Sequence, residues 1–187
     1  MKEIEISGEK VTLKKLKEKY TIQIYKNLQD KEIVKWTLIP WPYKKRDAFN
    51  FVKTAKEKLK KREAYTFGIF LKGTDKLVGC ISLKNVSKEN KNGELGYWIG
   101  RKYWNKGYAT EAVKLILHFA FKKLKLHKVY AVVLEENIAS VKVLEKNGFR
   151  IEGEFREQRF RYKKWHDELR FGILKNEWKK LANKINN

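Results

Sequence analysis

The run Arg101-Lys102-Tyr103-Trp104-Asn105-Lys106-Gly107-Tyr108-Ala109-Thr110-Glu111-Ala112 joins a strand-like segment ending near Gly100 to a long apolar segment of helical character. The first turn of a helix has backbone N–H groups without intrahelical acceptors and the positive end of the macrodipole, and anions, phosphates above all, bind there. Gly107 lets the backbone approach such a group closely, and Ala109 keeps the next side chain small. Lys102 and Lys106 add positive charge. An ordinary strand-to-helix connection would also carry a glycine. The run is not a P-loop, since no Gly-Lys-Ser/Thr follows, and it lacks the spacing of a dinucleotide fingerprint.

Other reactive residue types are scarce. The single cysteine, Cys80, excludes an internal disulfide and a zinc site built on several thiolates. It stands mid-strand between Gly79 and Ile81 with no histidine beside it in sequence, which reads as a buried structural thiol rather than a nucleophile. The three histidines, His118, His127 and His166, are too dispersed for a His-rich metal site, so no metal is expected.

Several elements must hold the loop. Val11 to Leu16 reads as a strand, and Thr21 to Leu28 and Glu32 to Trp36 as short helices. Ile39-Pro40-Trp41-Pro42-Tyr43 must be non-helical. Ala48, Phe51, Val52, Ala55 and Leu59 fall on one face of an amphipathic helix. Alternation predicts strands over Tyr65 to Leu71, Leu77 to Leu83 and Glu94 to Ile99, the last after a turn at Asn92-Gly93. Gly107 to Leu124 is apolar around most of its circumference, with His118 in its narrow polar stripe, so it is a deeply packed helix. Lys128 to Leu134 reads as a central strand. Asn137 to Asn147 is a short helix capped by Asn137 and ended by Gly148. Strands through Phe149 to Phe155 and Leu169 to Ile173 follow, then a last helix carrying Trp178, Leu181, Ala182 and Ile185. The expected fold is an α/β (α+β) domain with a mixed sheet flanked by helices.

At 187 residues the chain suits one domain, taken as residues 1–187, with 42% hydrophobic and 13% aromatic residues to build a core. The formal net charge is +22. An anionic partner explains such a surplus, and so does a solvated Lys/Glu-rich surface. No apolar run approaches the ~18 residues of a membrane span, and Met1-Lys2-Glu3-Ile4-Glu5 lacks a signal-peptide core. A soluble cytoplasmic protein without membrane contact is expected, as a monomer or homodimer.

Trp104-Asn105-Lys106-Gly107-Tyr108-Ala109 resembles the Q/R-x-x-G-x-G/A coenzyme A loop of the GNAT (general N-acetyltransferase) superfamily. The surroundings match in order. Gly96-Tyr97-Trp98-Ile99 precedes the loop, and Asn137-Ile138-Ala139-Ser140 through Asn147-Gly148-Phe149 follows the next strand. Together with the Ile39-Pro40-Trp41-Pro42-Tyr43 segment, this set is similar to the branch containing ribosomal-protein N-terminal acetyltransferases, over roughly residues 8 to 175. Trp104 departs from the usual Gln or Arg.

The resemblance implies a GNAT-type sheet in which two central parallel strands, Glu94–Ile99 and Lys128–Leu134, splay into a V. Acetyl-CoA is the implied cosubstrate. Its pantetheine would lie in the V and pair with backbone near Trp98 and Ile99. Its diphosphate would sit on Trp104, Asn105, Lys106, Gly107, Tyr108, Ala109 and Thr110. Asn137 would reach the pantetheine arm. A thioester carbonyl there is polarised by a backbone N–H. The catalytic candidates are Glu94, a base acting through a water, and Ser140, a hydrogen-bond donor to the leaving sulfur. The tyrosine that many relatives use is replaced by Leu144. A solvated strand end for Glu94, and helix capping for Asn137 and Ser140, are the alternatives.

The acceptor implied is a primary amine, a protein N-terminal α-amine of ribosomal-protein type in the first reading, with ribosomal RNA nearby through the basic surface. An α-amine has a pKa near ~8 and a lysine-type amine near ~10.4, so the former needs less help. A second reading makes the acceptor a small amine: a polyamine, amino acid or aminoglycoside. Positive charge disfavours polyamines unless the pocket is locally acidic, which Glu135, Glu136, Glu152, Glu154 and Glu157 could supply. Trp36, Trp41 and Tyr43 fit either an acceptor pocket or the core. A third reading is a basic nucleic-acid-binding module using the six tryptophans, which leaves the glycine loop without a purpose.

Overall fold

The computed structural model describes residues 4–185. Eight strands form one sheet: β1 (Glu5–Ser7), β2 (Val11–Lys15), β3 (Tyr65–Leu71), β4 (Leu77–Ser87), β5 (Asn92–Ile99), β6 (Lys128–Leu134), β7 (Arg150–Arg161) and β8 (Lys164–Leu174). Their order is β1-β2-β3-β4-β5-β6-β8-β7. Every neighbouring pair is antiparallel except β5–β6, which is parallel. The helices are α1 (Thr21–Asn27), α2 (Lys31–Lys35), α3 (Lys45–Lys61), α4 (Tyr108–His118), α5 (Ile138–Lys146) and α6 (Lys175–Ile185).

Two hydrophobic cores lie on the two faces of the sheet. Ala112, Val113, Ile116 and Leu117 of α4 pack on Leu95 and Ile99 of β5 and Val129, Ala131 and Val133 of β6. On the other face Ile24 of α1 and Ala48, Val52 and Ala55 of α3 meet Phe70, Cys80 and Trp98. The expected amphipathic stripe of α3 is therefore its core face. Asp47 Oδ2 accepts the Lys44 N–H at the start of that helix (2.8 Å), and Arg62 in left-handed conformation ends it.

The feature that shapes the site is where β5 and β6 stop pairing. They are in register only from Asn92↔Lys128 to Leu95↔Ala131. Beyond that point β5 stays paired with β4 as far as Gly79↔Ile99, and β6 with β8 as far as Leu134↔Glu168. Each strand follows its outer neighbour, and a V opens between Gly96–Ile99 and Val132–Leu134.

Four details differ from the sequence reading. The Asn92-Gly93 pair is not a turn; it begins β5, paired with Lys128 and Val129, and the reversal falls earlier, at Lys91 (φ 48°). Pairing with β6 captures the dipeptide, as the N–H groups of His127 and Lys128 both donate to the Lys91 carbonyl (2.6 and 3.2 Å). The helix from Gly107 to Leu124 changes at Phe119 into a π-turn over Phe119–Lys123. Phe119, Ala120 and Phe121 are consecutive and all buried, a demand that an α-helical period does not meet. The last two strands form a hairpin far longer than the apolar alternation marks, because most of β7 is exposed and polar. The short strand β1 carried no signal of its own. Trp178 of α6 is buried against Phe121, and the side chains of Ala182 and Ile185 lie outside the described residues. Among the described residues no helix is long and apolar enough to cross a membrane.

Candidate active site

The V opens into a cleft of about 990 Å³ that runs from the start of α4 to the segment between α2 and α3. Glu94, Trp98, Ile99, the whole loop from Trp104 to Thr110, Asn137 and Ser140 all line it. Residues singled out from three separate stretches of sequence thus share one cavity.

At one end lies the glycine loop. Gly107 has φ 78° and is the residue before α4, so the chain enters the helix through a left-handed turn that a side chain would strain. The N–H groups of the first helical turn are left for an external acceptor. Glu111, the acid of that turn, does not oppose an anion there. Its carboxylate turns back to accept the N–H groups of Glu9, Lys10 and Val11 (2.7, 2.9 and 2.7 Å). This brings Lys10 beside the loop, with Nζ 3.5 Å from the Lys106 carbonyl. Lys142 and Lys146 of α5 also line the cleft. The Asn147 side-chain amide donates to the Thr110 carbonyl (3.2 Å), fixing α5 against the start of α4. Trp104, which replaces the family's Gln or Arg, donates its indole N–H to the Ile99 carbonyl (2.7 Å). It fastens the loop to the end of β5 and leaves anion contact to backbone amides.

Midway along the cleft, Asn137 Oδ1 accepts the Ser140 N–H (3.2 Å), so the capping role is realised. The Ser140 hydroxyl is 2.8 Å from the Tyr97 hydroxyl. Tyr97 was not singled out from the sequence, and its only trace there was a tyrosine one residue from Trp98 on the strand beside the loop. Burial pushes its phenol up to about 12, a little offset by the hydrogen bond with Ser140. Leu144 is fully buried in the core and offers no acid.

Glu94 lies on the opposite face of β5 from Tyr97, with its side chain 21% exposed. Lys84 Nζ is 2.9 Å from Oε1 and Asn85 Nδ2 is 2.9 Å from Oε2. Trp36 and Tyr43 line the cleft beyond it, whereas Trp41 lines a neighbouring, smaller pocket. The long hairpin completes this end. Buried Glu168 pairs with Arg159. Arg161 donates to the carbonyls of Thr37 and Val34 and ties the hairpin to the proline segment. Sequence reasoning missed these three residues because the hairpin's length was not visible.

The five glutamates that could have made the acceptor pocket acidic for a polyamine do not do so. None of Glu135, Glu136, Glu152, Glu154 and Glu157 lines the cleft. Glu136 pairs with Lys164 and with His166, and Glu152 with Lys128. Glu135 and Glu154 face Asp167 elsewhere. Cys80 is fully buried, which pushes its thiol up and away from nucleophilic use. His118 is exposed and stands against Trp178, away from the cleft.

Residues 10–150 match the Acetyltransferase (GNAT) domain. A Bacillus subtilis protein named Probable N-acetyltransferase YjcK is 39% identical over 119 residues, 63% of this chain and 66% of its own length. The chain thus spans just under two thirds of that relative. The uncharacterized N-acetyltransferase YnaD of Bacillus subtilis is 35% identical over 156 residues, 83% of this chain and 88% of its own. The crystal structure of a GNAT-family acetyltransferase from Bacillus anthracis superposes with a TM-score of 0.80 at 30% identity, covering 92% of this chain and 99% of that one. With its splayed parallel strands, its glycine loop at the mouth of α4 and these similarities, the chain belongs to the acetyltransferase (GNAT) domain family.

Proposed function

We propose that this chain transfers the acetyl group of acetyl-CoA directly to a primary amine, and that the acceptor is the α-amine of a polypeptide. The observation that carries the reading is the single cleft with an anion-binding helix mouth at one end and a half-buried carboxylate, Glu94, at the other. In this reading the backbone from Trp104 to Thr110, with Lys106, Lys142 and Lys146, holds the diphosphate end. The open edge of β5 at Trp98 and Ile99, with Asn137, positions pantetheine. A backbone N–H on that edge stabilises charge growing on the thioester oxygen. Glu94 takes the proton released by the attacking amine, through a water. Ser140 hydrogen-bonds the departing sulfur. Basic surface away from the cleft is suited to an acceptor presented on RNA.

Relatives are named for both acceptor classes. A Bacillus subtilis protein designated a candidate ribosomal N-acetyltransferase, YdaF, is 35% identical over 102 residues. Escherichia coli spermidine N(1)-acetyltransferase is 29% identical over 100 residues. At the acceptor end Glu94 and Glu168 are ion-paired and Asp47 alone among the described cleft-lining carboxylates is not, which favours the polypeptide, since a polyamine needs several.

Melting with and without coenzyme A tests the first step. Saturating ligand at about 100 times Kd stabilises by about 2.7 kcal/mol, and Gly107→Glu, which adds an anion at the helix mouth, abolishes the shift. Thiol release from acetyl-CoA with a panel of peptides and amines then ranks acceptors. No shift in the parent protein refutes the assignment.

A further inference from the structure

Lys84 and Glu94 are directly opposite in the β4–β5 register, and their charged groups are 2.9 Å apart. The lysine stem then runs along β5. A Cβ placed on Gly96 would be 3.2 Å from Lys84 Cε and 3.4 Å from Nζ. The ammonium therefore hangs over side-chain-free backbone on the arm of the V that faces the acceptor end. An acceptor amine reaches Glu94 as an ammonium before it loses its proton, and this carboxylate already holds one. Of the other cleft-lining carboxylates, one is ion-paired and one is hydrogen-bonded to backbone. Glu168 is held by Arg159, and Asp47 accepts the Lys44 N–H. Arg161 adds positive charge, held by two carbonyls and lying over the Tyr162 ring.

We propose that Lys84 is a selectivity residue: a resident cation on Glu94 that excludes polycationic acceptors and favours a single amine followed by neutral or acidic groups, as in an acidic peptide N-terminus. This rests on the acyl-transfer reading above and deepens it. A second ammonium near Glu94 meets Lys84 already seated on that carboxylate, and like charges brought together at a binding surface are strongly unfavourable. An acidic second or third residue meets the same cation favourably. Lys84 is named as a specificity determinant and not as a base, since it carries no proton to or from the reacting nitrogen.

Calorimetry with coenzyme A-loaded protein tests the proposal without requiring turnover. Spermidine and a peptide of sequence Ser-Asp-Glu-Ala are titrated into the parent protein, Lys84→Met, Lys84→Arg and the remote surface variant Lys60→Met. The expected result is that Lys84→Met tightens spermidine relative to the peptide about tenfold, while Lys84→Arg and Lys60→Met keep the parent ratio. A Lys84→Met ratio within about twofold of the parent overturns the proposal, and so does an equal change in Lys84→Arg. Transfer rates with the same acceptors give the second readout. Absence of transfer to either acceptor counts against the acetyltransferase reading, while the spermidine affinities still decide the role of Lys84.

Discussion

A departing thiolate is only a moderately poor leaving group, since a free thiol has a pKa near ~8.5. A hydrogen bond to the sulfur is worth about tenfold in rate under such conditions, rather than the larger factors seen with alkoxide or amide leaving groups. Ser140 gives that bond with its own proton, and gives it more strongly when another group donates to its oxygen from behind. The Tyr97 hydroxyl at 2.8 Å is the group in position to do so, and with its ionisation pushed up to about 12 it keeps its proton at neutral pH. Hydrogen bonds in such a chain strengthen one another. Tyr97→Phe is expected to lower kcat about fivefold to tenfold with coenzyme A affinity unchanged, and Ser140→Ala about tenfold or more. In the double variant the tyrosine change adds less than about twofold, because its effect passes through Ser140. Steady-state rates and coenzyme A titrations check this; fully additive losses would mean that Tyr97 acts by packing. Asn137, Ser140 and Glu94 were named from the sequence through the family resemblance, and all three line the cleft. Tyr97 was not singled out. Which face of β5 it occupies, and which helix end lies over that face, are set by pairing between distant segments.

The elements that build the cleft are held by a few contacts across long stretches of chain. Glu111 is the clearest case: one carboxylate in the first turn of α4 accepts three backbone N–H groups of the β1–β2 turn. Charge-assisted bonds of this kind are worth about 1.5–3 kcal/mol each when buried and less when exposed, and two of these three are exposed. Glu111→Ala is expected to cost about 1–3 kcal/mol in urea unfolding and also to weaken coenzyme A, since the turn carries Lys10 beside the loop. Gly8→Ala should do the same in milder form, because its Cβ would sit 2.8 Å from the Glu111 carboxyl carbon. If both variants keep parental stability, the turn is not fastened by Glu111. The helices α3 and α4 and the central strands were readable from periodicity, since their buried faces are continuous, while α5, with Leu144 alone buried, was readable from Asn137 and Gly148 at its ends. The β1 strand, the start of β5 at Asn92 and the outer half of the β7–β8 hairpin were not. Their residues are polar or few, and partner strands rather than their own pattern make them extended. The same gap hid the acceptor end of the cleft, because Arg159, Arg161 and Glu168 all belong to that hairpin.

Over the whole molecule the net charge of +22 needs a division between solvation and function. Its arrangement around the cleft provides one. At the helix-mouth end the lining charges are Lys106, Lys142 and Lys146, with no cleft-lining carboxylate nearby among the described residues, while Glu94 and Glu168 at the other end are ion-paired. A polyanionic thioester therefore meets attraction at one end and near-neutrality at the other, which orients it before contact. Such steering acts on the association rate and is screened by salt, with a Debye length of about 10 Å at 0.1 M and about 3 Å at 1 M. The association rate of coenzyme A, measured by stopped-flow quenching of tryptophan fluorescence, is expected to fall about tenfold between about 0.05 and 0.5 M salt. Contacts at the loop act differently. Lys142→Ala and Lys146→Ala should raise the dissociation rate while leaving most of the salt slope intact, because the remaining field is spread over the molecule. Dephospho-coenzyme A, with fewer charges, should show a shallower slope. An association rate that holds within about twofold across that salt range would assign the surplus charge to solvation alone, and the orientation of the thioester would then rest on the loop and the V.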